Sequence, residues 1–280
     1  MRLNFTKMQG IGNDYIYIDC IKDNIELSPS EIAFLSNRRF GVGGDGVILI
    51  RKSDKADGYM DMYNLDGSSG LMCGNGVRCV GKFLYDNGYA KSETVTVETR
   101  SGIKTLVMDI GADGKAVGAT VDMGKAILDN KNIPVKFNGS NVDIPILVDG
   151  KEYNATCVSM GNPHAVIFVE NPDKIDLPKI GPLFENNLIF PNKVNTEFVS
   201  ALSRNHLKMR VWERGSGETL ACGTGACATV VAAVLKGFCD YNSPVTVTLR
   251  GGDLTISYNS DGGVIMRGGA STVYAGTIEL

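Results

Sequence analysis

The sequence predicts an α+β protein of two similar β-rich domains, each with a curved sheet around one central helix. Three observations lead to this prediction: most segments have the composition of short strands, three have that of helices, and the second half repeats the first. A chain of 280 residues is long enough for two domains of ordinary size.

The predicted strands are short segments rich in Val, Ile, Thr and Tyr, separated by Gly, Asn and Asp. Glycine accounts for 34 residues and proline for only 9, so the glycines indicate tight turns and close backbone approaches rather than low complexity. The clearest strands are predicted at 14–20, 46–50, 94–99, 103–109, 165–169, 245–249 and 254–258.

Three segments predict helices. The first, 28–37, opens with Ser-Pro-Ser-Glu, which is a capping box with proline in the first turn. The second, 75–86, has apolar residues at helical spacing and ends just before a glycine. The third, 224–236, is almost entirely small and apolar, which predicts a helix buried on every side.

The internal repeat relates residues 71–76 (Leu-Met-Cys-Gly-Asn-Gly) to residues 220–225 (Leu-Ala-Cys-Gly-Thr-Gly), an offset of 149. Cys73 and Cys222 therefore occupy the same place in the two halves. Several matches at one offset indicate duplication of a domain. The same offset relates Asn13 to Asn162, Gly46 to Asn195 and Asn64 to Glu213.

The repeat predicts domain boundaries. We expect a first domain over residues 1–122 and a second over 123–267, with the last strand, 268–280, returning to the first domain. Opposed halves would bring Cys73 and Cys222 together across a pseudo-twofold axis.

Charge and composition exclude several classes of function. With 28 basic and 31 acidic residues the net charge is −3, which provides no basic face for nucleic acid and no polybasic membrane anchor. No apolar run approaches the ~18 residues of a membrane helix, and the first residues do not form a secretory signal. We expect a cytoplasmic protein.

The seven cysteines are odd in number and irregularly spaced, and there are only two histidines. These counts argue against a disulfide framework and against a zinc site, so no metal is expected. Most of the cysteines are predicted to be small core residues, and His206 to lie at the surface. The predicted core cysteines are Cys20, Cys79, Cys157, Cys227 and Cys239.

Each repeated Cys-Gly-x-Gly stands at the start of a predicted helix. The helix dipole and the amide groups there attract anions and lower the pKa of a thiol, and glycine lets a carboxylate approach the backbone. Two such thiols on opposite faces of one carbon could perform two-base racemisation, in which a thiolate removes the α-proton and a thiol returns one. This chemistry needs no pyridoxal phosphate, and no lysine sits in a recognisable site for it.

Candidate substrate contacts lie in the repeated blocks. Arg214 can bind a carboxylate through two hydrogen bonds and Glu213 can accept from an ammonium group, which suits an amino acid with a charged far end. His164 is a candidate for lining the same site, although a single histidine is often structural. The remaining candidates are Asn13, Asn64, Asn162 and Asn195.

The run at 41–46, Gly-Val-Gly-Gly-Asp-Gly, matches the dinucleotide-binding pattern in letters only. That site needs a strand before the run and a helix after it, whereas here a helix precedes and a strand follows. The run therefore predicts a turn.

Two other classes of function remain open from the residues alone. A cysteine hydrolase could use Cys222 or Cys73 as nucleophile with His164 as base, but this leaves the second Cys-Gly-x-Gly unexplained. A non-enzymatic β-rich protein could bury both cysteines in its core.

Taken together, the motifs resemble the pyridoxal-phosphate-independent amino acid racemases, and among them the diaminopimelate epimerase family. The resemblance implies two pseudo-symmetric sandwich-like or barrel-like domains, each around a central helix, and a homodimer. It implies interconversion of LL- and meso-diaminopimelate, without a cofactor, on the route to lysine and peptidoglycan precursors. The matching segments are 7–14, 64–68, 73–79, 159–164, 194–195, 213–219 and 221–227.

The resemblance also implies roles for single residues. Cys73 and Cys222 are the acid/base pair, with His164 and Glu213 assisting near the thiols. The reacting carboxylate is held by Gly74, Asn75, Gly223 and Thr224. The distal centre is held by Asn13, Asn64, Asn162, Asn195, Glu213 and Arg214.

One position departs from the family pattern: Gly46 stands where some members have an amide. Racemases of proline or histidine share the architecture and are the sister alternative. The asparagine set together with Arg214 favours diaminopimelate, because its far end carries both an amino and a carboxylate group.

Overall fold

The structure, a computed structural model, describes residues 1–70 and 72–280. Backbone contacts divide the chain into unit 1, Met1–Asp122 with Arg267–Leu280, and unit 2, Met123–Met266. Leu71, the first residue of the repeated cysteine motif, lies outside the described residues.

Unit 1 is built from strands that pair in the order β17-β1-β2-β3-β4-β5-β6-β7. The β2/β3 and β4/β5 pairs are parallel and the others are antiparallel. The elements are β1 (Arg2–Gly10), β2 (Asn13–Cys20), α1 (Pro29–Ser36), β3 (Gly46–Arg51), β4 (Gly58–Asn64), α2 (Gly74–Asp86), β5 (Thr94–Thr99), β6 (Gly102–Ile110), β7 (Ala116–Lys125) and β17 (Ser271–Glu279).

Unit 2 repeats this plan, with β10/β11 and β12/β14 parallel and β8/β9, β9/β10, β11/β12 and β14/β15 antiparallel. The elements are β8 (Ile144–Val148), β9 (Lys151–Ser159), β10 (Pro163–Phe168), a short 3-10 turn (Pro172–Lys174), α3 (Leu177–Glu185), β11 (Asn195–Ser203), β12 (His206–Glu213), β13 (Gly217–Glu218), α4 (Gly223–Leu235), β14 (Val245–Leu249), β15 (Gly252–Tyr258) and β16 (Gly263–Gly269).

The two units share strand register as well as strand order. Ile16 lies opposite Val47 in unit 1, and the residues 149 positions later, Ala165 and Thr196, lie opposite each other in unit 2. The helices α2 and α4 begin at the same offset. The predicted fold class, α+β with an internal duplication, is confirmed.

Each unit wraps its strands around one helix. In unit 1, α2 contacts β1, β2, β4, β5 and β6, and in unit 2, α4 contacts β9, β10, β11, β12, β14 and β15. Almost every residue of α4 is buried, as its small apolar sequence predicts. The helix ends at Leu235, one residue before the predicted end, and is followed by Lys236 and by Gly237 with φ +75°.

The first predicted helix forms with the predicted cap. Ser28 accepts a hydrogen bond from the Glu31 amide, and the Glu31 side chain accepts one from the Ser28 amide. The sequence did not predict α3, because Pro182 lies inside it and proline usually ends a helix. Gly181 makes this helix possible, since a Cβ there would lie 2.3 Å from the Trp212 ring.

Candidate active site

Cys73 is the residue that caps α2. Its sulfur accepts a hydrogen bond from the Gly76 amide at 3.4 Å, and the thiol donates one to Oδ1 of Asn13 at 3.1 Å. The side chain is half-buried. The thiol therefore lies at a helix N-terminus, where the dipole favours negative charge.

Asn13 reaches Cys73 because of a two-residue turn between β1 and β2. Ile11 and Gly12 have φ of 48° and 84°, which is the pattern of a type I′ hairpin turn. The Asn13 amide donates from Nδ2 to Oδ2 of Asp45 at 2.7 Å. Asp45 thereby keeps the oxygen of the amide directed toward the thiol.

Asp45 belongs to the glycine-rich run at 41–46, which forms a turn before β3 as predicted. The Arg38 guanidinium binds both Asp45, at 2.9 Å, and Asp14, at 2.6 Å, and Lys7 also binds Asp14. Burial opposes ionisation of Asp14, but the hydrogen bonds from Arg38 and Lys7 outweigh it and lower the pKa of Asp14. The sequence analysis did not identify Asp45 as a site residue, although it is the one charged residue among the glycines of 41–46.

The first turn of α2 is held from behind by Arg78, which is fully buried. Its guanidinium donates to the carbonyl oxygen of Gly74 at 3.1 Å, to Oδ1 of Asn75 at 3.0 Å and to the carbonyl oxygen of Gly269 at 3.2 Å. Gly10 leaves room for this contact, since a Cβ there would lie 3.1 Å from Nη2. Arg78 thus fixes the two residues expected to hold a carboxylate.

The predicted contact Asn64 lies opposite Gly46, where β3 and β4 pair. Asn64 ends β4, and its Nδ2 donates to the Ser68 hydroxyl at 3.0 Å. A Cβ on Gly46 would lie 2.1 Å from the carbonyl oxygen of Tyr63. A side chain at Gly46 would therefore require a shift of the backbone.

Cys222 caps α4 as Cys73 caps α2. Its sulfur accepts from the Gly225 amide at 3.4 Å and lies 3.6 Å from the Thr224 hydroxyl, and the thiol donates to Glu213. Burial, together with the carboxylates of Glu213 and Glu197, raises the pKa of Cys222 well above its ordinary value. The expectation that a helix N-terminus lowers the thiol pKa is therefore wrong for Cys222, because burial and two carboxylates outweigh the dipole.

Glu213 lies at the end of β12, between Cys222 and Thr219. The Thr219 hydroxyl donates to Oε1 of the carboxylate. Burial raises the pKa of Glu213, while the hydrogen bonds from Thr219 and Cys222 partly offset this increase. The carboxylate is placed to exchange a proton with the thiol.

His164 is completely buried at the start of β10. Its Nδ1 lies 2.7 Å from Oε1 of Glu197, and its Nε2 lies 3.1 Å from Oδ1 of Asn162. Asn162 in turn donates from Nδ2 to the Thr224 hydroxyl at 3.4 Å. A chain of polar contacts thus runs from Glu197 to the first turn of α4.

Glu197 was missed by the sequence analysis. Its signal was a carboxylate on β11 at the position where the matching strand of unit 1 has Ile48. Thr219 was missed too, since a single threonine in a loop gives no signal of its partner.

Asn195 and Arg214 are joined through the backbone. The Asn195 amide donates to the carbonyl oxygen of Pro163 at 2.9 Å and accepts from the Arg214 backbone amide at 2.9 Å. Asn195 therefore holds the backbone of Arg214, the first residue after β12, against the start of β10. The Arg214 side chain is exposed, with one guanidinium nitrogen 2.8 Å from the carbonyl oxygen of Asn192.

The surroundings of the two cysteines differ. Cys73 contacts the amide of Asn13, and the nearest carboxylate that the contacts reach, Asp45, lies behind that amide. Cys222 lies beside the carboxylates of Glu213 and Glu197. All seven cysteines are free thiols. In the part of the chain that the structure describes, no group of three His, Cys, Asp or Glu side chains could hold a metal ion, and no helix is long and apolar enough to cross a membrane.

Comparison with known proteins identifies relatives along the whole chain. The sequence model of the diaminopimelate epimerase family matches residues 5–152 and 156–273. A diaminopimelate epimerase of Leptospira biflexa is 52% identical over 282 residues and covers 100% of both chains. One of Methanococcus maripaludis is 53% identical over 281 residues, covering 99% of this chain and 100% of the relative.

The fold is also found in solved structures. A phenazine biosynthesis protein of the PhzF family from Bacillus anthracis superposes with a TM-score of 0.71 at 17% identity, covering 100% of each chain. At that identity the likeness concerns the fold alone.

Proposed function

Because this chain belongs to the diaminopimelate epimerase family, we propose that it is an isomerase that interconverts LL- and meso-diaminopimelate in lysine biosynthesis. The observation that carries the proposal is the pair of cysteines, each capping the equivalent helix of its own unit. A hydrolase needs one such cysteine, whereas inversion of a stereocentre by proton transfer needs two groups.

The reaction needs one base and one acid. A thiolate removes the α-proton and becomes a thiol, while the other thiol gives a proton to the opposite face of the carbanion and becomes a thiolate. The raised pKa of Cys222 means that this group keeps its proton at neutral pH. We therefore assign Cys222 as the acid and Cys73 as the base in one direction, with the roles exchanged in the other.

In the direction in which Cys222 acts as the base, its thiol must first lose a proton to a neighbouring group. Glu213 accepts a hydrogen bond from that thiol, and burial raises the pKa of its carboxylate toward the range in which it can take up a proton. These observations support an assisting role for Glu213.

The carbanion carries its charge into the reacting carboxylate. The first turns of α2 and α4, at Gly74, Asn75, Gly223 and Thr224, provide positive dipole ends and amide donors for such a group. Arg78 keeps the first of these turns rigid. We propose that these four residues bind the reacting carboxylate.

For the distal end we propose Arg214 as the group that binds the second carboxylate, and Asn13, Asn64, Asn162 and Asn195 as further contacts of the substrate. The exposed guanidinium and the support that Asn195 gives to the Arg214 backbone favour this role. We also propose that the protein is cytosolic and forms a homodimer. Light scattering on the purified chain would test the oligomeric state.

Cysteine variants test the proposed function, and each helix supplies a matched control. Cys73→Ala and Cys222→Ala should each lower kcat for LL-diaminopimelate by at least about 10²-fold, since each removes a proton-transfer group. Cys79→Ala and Cys227→Ala, which change buried cysteines farther along the same helices, should keep most of the activity. Full activity in either of the first two variants would contradict the proposal, and loss in only one would favour a hydrolase.

A further inference from the structure

The buried contact between Glu197 and His164 has no part in the proton transfers proposed for Cys73, Cys222 and Glu213. Both side chains are 0% exposed, and Nδ1 of the ring lies 2.7 Å from Oε1 of the carboxylate. The second oxygen, Oε2, has no hydrogen-bond partner among the described residues. Glu197 is thus a carboxylate enclosed by unit 2 with one visible partner, the ring of His164.

The duplicated fold shows what this position needs for packing alone. The residue 149 positions before Glu197 is Ile48, and each faces the first turn of the central helix of its unit. A Cβ on Gly76 would lie 3.1 Å from Cδ1 of Ile48, and a Cβ on Gly225 would lie 2.7 Å from Oε1 of Glu197. The strand register is the same in both units, so the two side chains occupy equivalent places.

An isoleucine therefore packs well at this position, whereas a buried glutamate lowers the stability of the fold. Burying a carboxylate costs free energy unless hydrogen bonds and an opposite charge compensate, and here one oxygen is uncompensated. The counterpart of His164 is Tyr15, which is also a buried aromatic residue. The carboxylate of Glu197 is therefore the feature of unit 2 that packing does not explain.

The geometry defines what the pair does. A carboxylate and an amide oxygen can only accept hydrogen bonds, so His164 donates from Nδ1 to Glu197 and from Nε2 to Oδ1 of Asn162. Asn162 then donates to the Thr224 hydroxyl, which lies 3.6 Å from the Cys222 sulfur. Both ring nitrogens of His164 therefore face acceptor oxygens, an arrangement that suits a ring with a proton on each nitrogen.

We propose that Glu197 is a positioning residue for the epimerisation, which holds His164 as a doubly protonated ring and so keeps Asn162 and Thr224 aligned beside Cys222. The expected effect on kcat rests on the proposed function, whereas the expected effect of Glu197 on the His164 ring does not. The cation offsets the two carboxylates around the thiol, which assists the direction in which Cys222 must act as a thiolate.

Two substitutions at Glu197 test this proposal. Glu197→Ile installs the residue of unit 1 and should lower kcat by about 10- to 100-fold, a part of what a positioned acid/base group contributes. KM should change by less than about 3-fold, because the distal contacts remain. Glu197→Gln keeps an acceptor for Nδ1 but removes the charge, so its kcat should fall by about 3- to 10-fold.

The control is Thr156→Val on β9, a buried residue of unit 2 whose hydroxyl lacks a partner in the part of the chain that the structure describes. Removing that hydroxyl should leave kcat unchanged. Thermal unfolding of all three variants separates a change in kcat from loss of fold.

A spectroscopic reading is independent of activity. The chain has only two histidines, so a sample labelled with ¹⁵N-histidine gives signals from His164 and His206 alone, and His206 serves as the internal reference. Both ring nitrogens of His164 should carry protons at pH 7, and Glu197→Ile should leave one of them unprotonated. If Glu197→Ile does not fold, a decrease in kcat of Glu197→Gln with unchanged KM decides the question.

Two results would overturn the proposal: an unchanged His164 spectrum in Glu197→Ile, or kcat within about 2-fold of the parent in a folded Glu197 variant. Failure of the proposed function would look different. The parent chain would then be inactive on diaminopimelate while the His164 signals still responded to the substitution.

Discussion

At the residue scale, the two thiols have the same position in their units but different surroundings. Cys73 donates to the neutral amide of Asn13, whereas Cys222 is buried beside Glu213 and Glu197. Nearby carboxylates disfavour a thiolate, and burial does the same. Burial and two adjacent carboxylates therefore oppose thiolate formation at Cys222, whereas the direct partner of Cys73 is a neutral amide.

This difference predicts the effect of Glu213→Gln on alkylation. Removing the carboxylate lowers the pKa of Cys222, so iodoacetamide should modify that residue about 3- to 10-fold faster at pH 8. Mass spectrometry of the peptide containing Cys222 measures the rate. Asp240→Asn removes an exposed carboxylate paired with Arg204 and should have no effect. An unchanged or slower rate in Glu213→Gln would show that the carboxylate does not govern this thiol.

At the element scale, the central helices were the parts most readily predicted from the sequence. The capping box, the terminal glycines and the apolar spacing define α1, α2 and α4 to within one or two residues. The repeat marks Glu197 as a carboxylate where unit 1 has Ile48, but its partner His164 could not be predicted, because their contact depends on the parallel pairing of β10 with β11. The role of Asp45 could not be predicted for a similar reason, since the sequence of a glycine-rich turn does not show that its carboxylate binds Asn13.

The first turns of α2 and α4 supply a matched pair of substitutions. In Gly225→Ala the new methyl group would lie 2.7 Å from Oε1 of Glu197, whereas in Gly76→Ala it would meet the flexible ends of Ile48 and Met60 at 3.1 Å. Gly225→Ala should lower kcat by about 10-fold or more, because it displaces a group that orients the acid/base site. Gly76→Ala should retain activity within about 3-fold. Equal losses in the two variants would contradict the difference between the first turns of α2 and α4.

At the scale of the whole molecule, the chain closes unit 1 with its last strand. β17 pairs antiparallel with β1 from Arg2 to Gln9, and Tyr274 packs edge-on against Phe5 with ring centres 5.8 Å apart. The internal repeat made the duplicated fold predictable, but it could not show which backbone groups β17 satisfies.

Removing residues 271–280 should therefore affect unit 1 before unit 2. The backbone groups of β1 that pair with β17 would lose their partners, and the sheet of unit 1 would open at that edge. Limited proteolysis followed by mass spectrometry should find the first cuts within residues 1–122. First cuts within residues 123–266 would contradict this division of the chain.

The central claim is that this chain epimerises diaminopimelate by proton exchange at one α-carbon. Proton NMR of the reduced protein with LL-diaminopimelate in heavy water tests it directly. We expect the signal of one α-proton to disappear as deuterium from the solvent replaces it, and the meso isomer to appear. A folded, reduced sample that leaves both α-proton signals intact would contradict it.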